Sequence, residues 1–193
     1  MATEQENSPL DTLTDHVRAA LIAAAPGPSE VTDAAAQATY GFLFPALEGC
    51  EDEAAAAAAA AAGTLLATKK LSSAPIWHVS RGAAVGIMHA GFGRRLDLEP
   101  MLIAAVRRMM TEADGLGGDF GAAAQGAIEG SITAADELGL DPQDFAAITA
   151  LAALEMSEEL PEGALEKIQH LVNRRILGVD VRIPSRYTLE LPS

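Results

Sequence analysis

Apolar residues recur at helical spacing along most of the chain. In the first such segment Leu13, Val17 and Leu21 lie four residues apart, which places them on one face of a helix. Similar segments follow, each bounded by Gly, Pro or a residue suited to capping a helix. We predict eight helices, separated by these signals and lying within residues 10–25, 29–45, 51–70, 73–93, 97–115, 119–139, 141–161 and 161–178.

The third of these segments carries the strongest helix signal. Nine consecutive alanines, residues 54–62, follow Glu51-Asp52-Glu53 and precede Lys69-Lys70. Alanine has the highest intrinsic helix propensity, and acids at the start and bases at the end complement the helix dipole. Ser29, Ser73, Asp97, Asp119 and Asp141 are the expected caps of the other helices.

The last fifteen residues, 179–193, change period. From Val179 to Leu191 every second residue except Ser185 is apolar, and the residues between them are polar or proline. Alternation with period two predicts an extended segment with one buried face, and Pro184 confines it to an edge or an unpaired arm. We expect the arm to dock on another chain or across its own protein through Val181, Ile183, Tyr187, Leu189 and Leu191.

Composition narrows the fold class. The chain of 193 residues has 40 Ala and 17 Gly, but its Leu, Ile, Val and Phe together number only 45. A core of this composition relies on close backbone approach rather than on large side chains. We therefore predict an all-α, Ala/Gly-rich bundle of about seven to eight helices, with flexible residues 1–9, a helical domain over 10–178 and the C-terminal arm.

Two stripes of small residues predict close helix packing. Gly82, Gly86 and Ala90 fall four residues apart in the fourth helix, and a matching stripe in the sixth contains Gly126 and Gly130. Each interior glycine costs about 1 kcal/mol relative to alanine, so a compensating contact is expected. Packing against another helix is one interpretation, and a ligand on the glycine surface is the other.

The sequence argues against several classes of protein. The single Cys50 excludes an internal disulfide, the N-terminal residues lack the positive charge of a secretory signal, and no apolar run has the roughly 20 residues of a membrane span. A cytoplasmic location is expected. A net charge of −14 argues against nucleic-acid binding. We find no metal-ligand spacing, no cofactor motif and no catalytic constellation.

Charge is distributed in blocks. Residues 69–110 hold seven bases and two acids, whereas residues 111–166 hold thirteen acids and no base. Neighbouring helices of opposite charge explain this pattern in one interpretation. In the other, the basic block holds an anionic molecule, for which the candidate residues are His78, Arg81, His89, Arg94, Arg95, Arg107 and Arg108.

Two hypotheses about function follow. The first is a non-enzymatic helical scaffold that self-associates and docks a protein partner through the C-terminal arm. The second is a helical domain that binds a small ligand, or catalyses a reaction, by holding an anion with the basic block. A concave site where the Arg and His side chains meet would favour the second hypothesis.

Overall fold

The computed structural model describes residues 8–71, 74–117 and 119–188. The part of the chain so described is all-helical, as predicted, and contains no β-strand. Its eight α-helices are α1 (Pro9–Ala24), α2 (Val31–Ala46), α3 (Glu53–Ala67), α4 (Ile76–Arg94), α5 (Leu98–Gly115), α6 (Phe120–Leu138), α7 (Pro142–Ser157) and α8 (Ala164–Val172).

Aspartate side chains cap the starts of four of the eight helices. Asp52, Asp97, Asp119 and Asp141 each accept a hydrogen bond from a backbone N–H in the first turn of α3, α5, α6 and α7, at 2.8 to 3.1 Å. Each carboxylate satisfies a donor that the helix itself leaves free and complements the positive end of the helix dipole. Three of these four caps were expected from the sequence.

Several helix boundaries differ from the predicted ones. Glu30, not Ser29, is the N-cap of α2, and that helix continues one residue past Pro45. Pro45 has no N–H to donate to the carbonyl of Gly41 one turn earlier, and the helix ends one residue after it. The fourth helix has Pro75 as its N-cap, and Ser73 lies outside the described residues.

The eighth helix is shorter than predicted because a tight turn follows it. Leu177 and Gly178 both have positive φ, 49° and 83°, and Ile176 pairs with Val179 through two backbone hydrogen bonds. Positive φ at both central residues is typical of a two-residue type I′ turn. The chain therefore reverses direction at Gly178 and leads into the C-terminal residues.

Consecutive helices pair as hairpins that stack in two layers. In one layer α1 packs on α3, α3 on α5 and α5 on α7. In the other, α2 packs on α4, α4 on α6 and α6 on α8, while each hairpin joins the layers. The stack begins with the α1–α2 hairpin and ends with the α7–α8 hairpin, as in a short helical-repeat array.

Glycines allow the even-numbered helices to approach closely. A Cβ atom on Gly82 or Gly86 would collide with the backbone oxygens of Thr32 and Ala36 in α2. In α6, a Cβ on Gly126 or Gly130 would collide with the backbone of α4. The glycine stripes thus contact neighbouring helices of the same chain, and the stripe of α4 packs on α2 rather than on the stripe of α6.

The C-terminal residues run along α7. Val179 borders Pro142 at the start of that helix, Pro184 borders its middle, and Tyr187 reaches Glu158 just beyond its end. Eight residue steps of extended chain cover about 26 Å, close to the roughly 24 Å of the sixteen helical steps alongside. Residues 185–187 form one 3₁₀ turn, at the position where the alternation lapses.

Within the three described ranges, no helix combines the length and the apolar character needed to cross a membrane.

Candidate functional site

The outward face of α4 carries three of the predicted anion-binding residues. His78, Arg81 and His89 lie three, eight or eleven residues apart, so they follow one stripe of the helix between α2 and α6. Ten of the 19 residues of α4 are buried. The stripe is one part of this central helix that a ligand can reach, and the exposed Phe92 and Gly93 near the helix end are another.

Arg81 is engaged with α6. Its Nη2 donates to Thr133 Oγ1 at 3.2 Å, and its Nη1 lies 4.0 Å from Oε2 of the buried Glu129. Gln125 Nε2 donates to the other oxygen of Glu129 at 2.9 Å. In this cluster the Arg81 guanidinium is held near a carboxylate of its own chain. His78 is similarly engaged, since its Nδ1 is 3.1 Å from Thr32 Oγ1.

Arg94 is held at the end of α4. Its Nε donates to the backbone oxygen of Phe44 at 2.9 Å and its Nη2 to Glu48 at 3.2 Å. The guanidinium carbon lies 4.2 Å from the centre of the Phe44 ring, a cation–π distance. Arg95 is exposed as the left-handed C-cap of the same helix.

The last two predicted anion-binding residues lie in the layer of odd-numbered helices. Arg107 of α5 faces Glu155 and Glu159 at 3.7 and 3.9 Å, and Arg108 pairs with Glu112 at 2.6 Å. The structure therefore does not bring the seven basic residues together, and five of them contact acids of the same chain. Neighbouring helices of opposite charge account for the charge blocks.

A cavity of about 350 Å³ lies on the outward face of α4, between α2 and α6. We call it the α4 cavity. Asp33, Gln37 and Tyr40 line it from α2, Val85 and His89 from α4, and Glu137 from α6. Among the described residues no Lys or Arg lines it. His89 Nε2 and Glu137 Oε2 are 3.0 Å apart and join two of its walls.

One aromatic side chain, Tyr40, lines this cavity. It is 42% exposed and stacks on Phe44 with ring centres 5.3 Å apart. Phe92, three residues after His89 on the same side of α4, is also exposed but does not line the cavity. Tyr40 therefore supplies the aromatic surface of the cavity.

Of the residues that line the α4 cavity, the sequence indicated His89 as an anion-binding candidate and Gly86 as part of a glycine stripe that could face a ligand. The other contributors from α2, Asp33, Gln37 and Tyr40, recur at intervals of four and three, so the helical period already placed them on one face. Glu137 follows His89 by 48 residues, and nothing in the local pattern pairs them.

The predicted partner-binding residues of the arm lie against their own chain where they are described. Tyr187 is 2% exposed and donates its hydroxyl to Glu158 at 2.8 Å. Burial raises the pKa of Tyr187, and the hydrogen bond to Glu158 raises it further. Val181 and Ile183 are half-buried against the core. Leu189 and Leu191 lie outside the described residues.

A second distinctive surface lies at the start of the stack. Beside exposed charged residues such as Asp15, Arg18 and Asp33, α1 and α2 carry a strip of small or apolar residues that are at least partly exposed. We call this the α1–α2 end face. Its residues are exposed or half-buried: Thr12, His16, Ala19, Ala23, Ala34, Ala38, Gly41, Phe42 and Pro45.

Neither surface resembles a metal centre. Across residues 8–71, 74–117 and 119–188, no group of three or more His, Cys, Asp or Glu side chains is arranged to hold a metal ion.

Comparisons with known proteins do not assign this chain to a family. No protein-family model matches the sequence, and no match was found among the curated proteins or the solved structures.

Proposed function

We propose that this protein is a non-enzymatic helical scaffold that self-associates through the α1–α2 end face. The observation that carries the proposal is the difference between the two ends of the stack. At the last hairpin, the C-terminal residues run along α7 and bury Tyr187. At the first hairpin, the end face is uncovered in the described part of the chain.

The chemistry of the end face repeats that of the contacts inside the stack. Ala34, Ala38 and Gly41 are spaced four and three apart on α2, so they share one side of that helix, as the glycines of the α4 and α6 stripes do at intervals of four. Terminal repeats of helical stacks usually expose a polar outer face for solubility. An apolar end face of small residues is instead suited to close contact with another helix.

A second copy of the chain is the occupant that fits best. Residues 1–7 contain only Met1 and Ala2 as apolar residues, so the segment preceding α1 offers little to cover an apolar surface. The end face has no charge of its own, so it does not repel itself even though the whole chain carries −14. Two-fold pairing would bring Phe42, which is 37% exposed, against the partner's end face.

The test is the oligomeric state of a variant that keeps the fold. A side chain at Gly41 would meet no atom within 4 Å, so Gly41→Arg is compatible with the monomer and places a charge in the proposed interface. We expect light scattering after size exclusion to give twice the monomer mass for the parent and the monomer mass for Gly41→Arg. Gly115→Arg, also at an open helical position, is the matched control and should remain dimeric. A parent that is monomeric at every concentration tested would overturn the proposal.

Docking of a protein partner by the C-terminal arm remains a separate proposal. It requires the arm to leave α7, because Tyr187 is buried against its own chain. The anion-binding hypothesis has less support, since the basic residues are dispersed over two layers and the α4 cavity is lined by carboxylates.

A further inference from the structure

We infer that the α4 cavity binds an alkylammonium group, either the side chain of a lysine in a partner protein or a free aliphatic amine. This inference is independent of self-association, because the cavity and the α1–α2 end face lie on different sides of α2. Three properties of the cavity carry it: its dimensions, its charge and its aromatic wall.

The dimensions suit a small group rather than a helix or a strand. At about 350 Å³ the cavity is at the lower end of the range for small-ligand sites. The central helix α4 separates the two flanking helices, so Asp33 of α2 and Glu137 of α6 stand on opposite walls. Asp33 is level with Gly82 of α4 and Glu137 with His89, about two turns further along, so an ammonium group would meet one of these carboxylates at a time.

The charge selects a cation. Asp33 and Glu137 are the two acids of the lining, and the one basic side chain there, His89, is already hydrogen-bonded to Glu137. The nearest arginines along α4, Arg81 and Arg94, are occupied by Glu129 and Glu48. An anion would meet the Asp33 carboxylate, whereas an ammonium group has three N–H donors for it.

The aromatic wall selects an alkyl chain attached to that cation. Tyr40 stacks on Phe44 and remains 42% exposed, so much of its ring is available to a ligand. Val85 adds an aliphatic surface. The protein already places a cation on this aromatic pair, since the Arg94 guanidinium lies 4.2 Å from the Phe44 ring centre. Methylene groups packed on Tyr40 would leave the ammonium group near the carboxylates.

The experiment is a titration followed by amide chemical shifts. The probes are pentylammonium and the peptide acetyl-Ala-Lys-Ala-amide, with 1-pentanol and acetyl-Ala-norleucine-Ala-amide as uncharged counterparts. We expect at least one charged probe to shift the amides of Val85 and His89 while its counterpart does not. A response to the peptide alone assigns lysine of a partner protein, and a response to pentylammonium assigns free amines as ligands.

Variants of the lining carboxylates distinguish binding at this site from nonspecific attraction of a cation to an acidic protein. Asp33→Asn combined with Glu137→Gln should weaken binding of the responding probe at least about tenfold, as loss of charged hydrogen bonds typically does. Asp136→Asn, next to Glu137 but outside the cavity, is the matched control and should bind as the parent does. Binding by neither charged probe, equal binding by the uncharged counterparts, or equal loss in Asp136→Asn would overturn the inference.

Discussion

At the scale of single residues, glycines decide how closely the helices pack. Four glycines of α4 and α6 face backbone atoms of α2 and α4, and a fifth, Gly63 of α3, faces the backbone of α1. A Cβ at any of these positions would collide with a carbonyl oxygen, which cannot move aside as a flexible side chain can. Each glycine therefore offsets its own conformational cost by allowing helices to approach more closely.

These contacts predict the effect of enlarging two glycines. Gly86→Leu and Gly126→Leu should each lower the free energy of unfolding by about 1–3 kcal/mol or more, because overpacking forces the helices apart. The control is Gly115→Ala at an open position of α5, where we expect a change within about 0.5 kcal/mol. Urea denaturation monitored by circular dichroism measures all three. Unfolding midpoints unchanged in both Leu variants would contradict the helix contacts described.

At the scale of elements, the start of α6 depends on one ionised carboxylate. Burial raises the pKa of Asp119, but hydrogen bonds from Lys167 at 2.6 Å and from the backbone N–H of Ala122, with the charge of Lys167, hold that pKa below its usual value of 3.8. A carboxyl group with a lowered pKa in the folded state stabilises the fold when it is ionised.

The sign of this shift sets a pH dependence. The contribution of Asp119 is present above pH 3.8 and is lost as the pH falls through the lower pKa of the folded state. Asp119→Asn should therefore lower the thermal midpoint at neutral pH and have a smaller effect as the pH drops below 3.8. Because Asp119 is largely exposed, we expect a difference of a few degrees at most. A difference between variant and parent that grows toward acidic pH would show that the pKa is raised instead.

At the scale of the whole molecule, the first and last hairpins of the stack differ in what packs on them. The C-terminal residues run along α7, where Arg186 lies 3.6 Å from Glu155 and Tyr187 is buried. The α1–α2 end face has no such covering among the described residues. A self-complementary face at one end of the stack favours a closed pair of chains over a continuing filament.

Tyr187 provides the prediction for the covered end. Tyr187→Ala should lower the free energy of unfolding by about 3–5 kcal/mol, as expected for removal of a buried aromatic side chain. Tyr187→Phe removes only the hydroxyl bonded to Glu158 and should cost about 1 kcal/mol. Thr188→Ala, at the exposed neighbouring residue, serves as the control in the same urea denaturation experiment. Equal stability of Tyr187→Ala and the parent would mean that the arm contributes nothing to the fold.

The sequence by itself determined the helices, because the signals for them are local. Asp97, Asp119 and Asp141 were expected as caps, since a carboxylate reaches N–H groups only two or three residues away. The period of apolar residues likewise needs only neighbours along one helix. The end of the last helix was missed because Leu177 and Gly178 form a turn whose pairing, Ile176 with Val179, is not signalled by helical periodicity.

Only the tertiary structure decided which residues meet. The glycine stripe of α4 packs on α2, and the basic residues that adjoin in sequence separate into two layers. The α4 cavity joins Asp33, His89 and Glu137 from three helices, with 48 or more residues between each pair. No local pattern predicts that these three residues lie together, because they are far apart in sequence. Their proximity depends on how the helices stack, and the close contacts of small residues set that stacking.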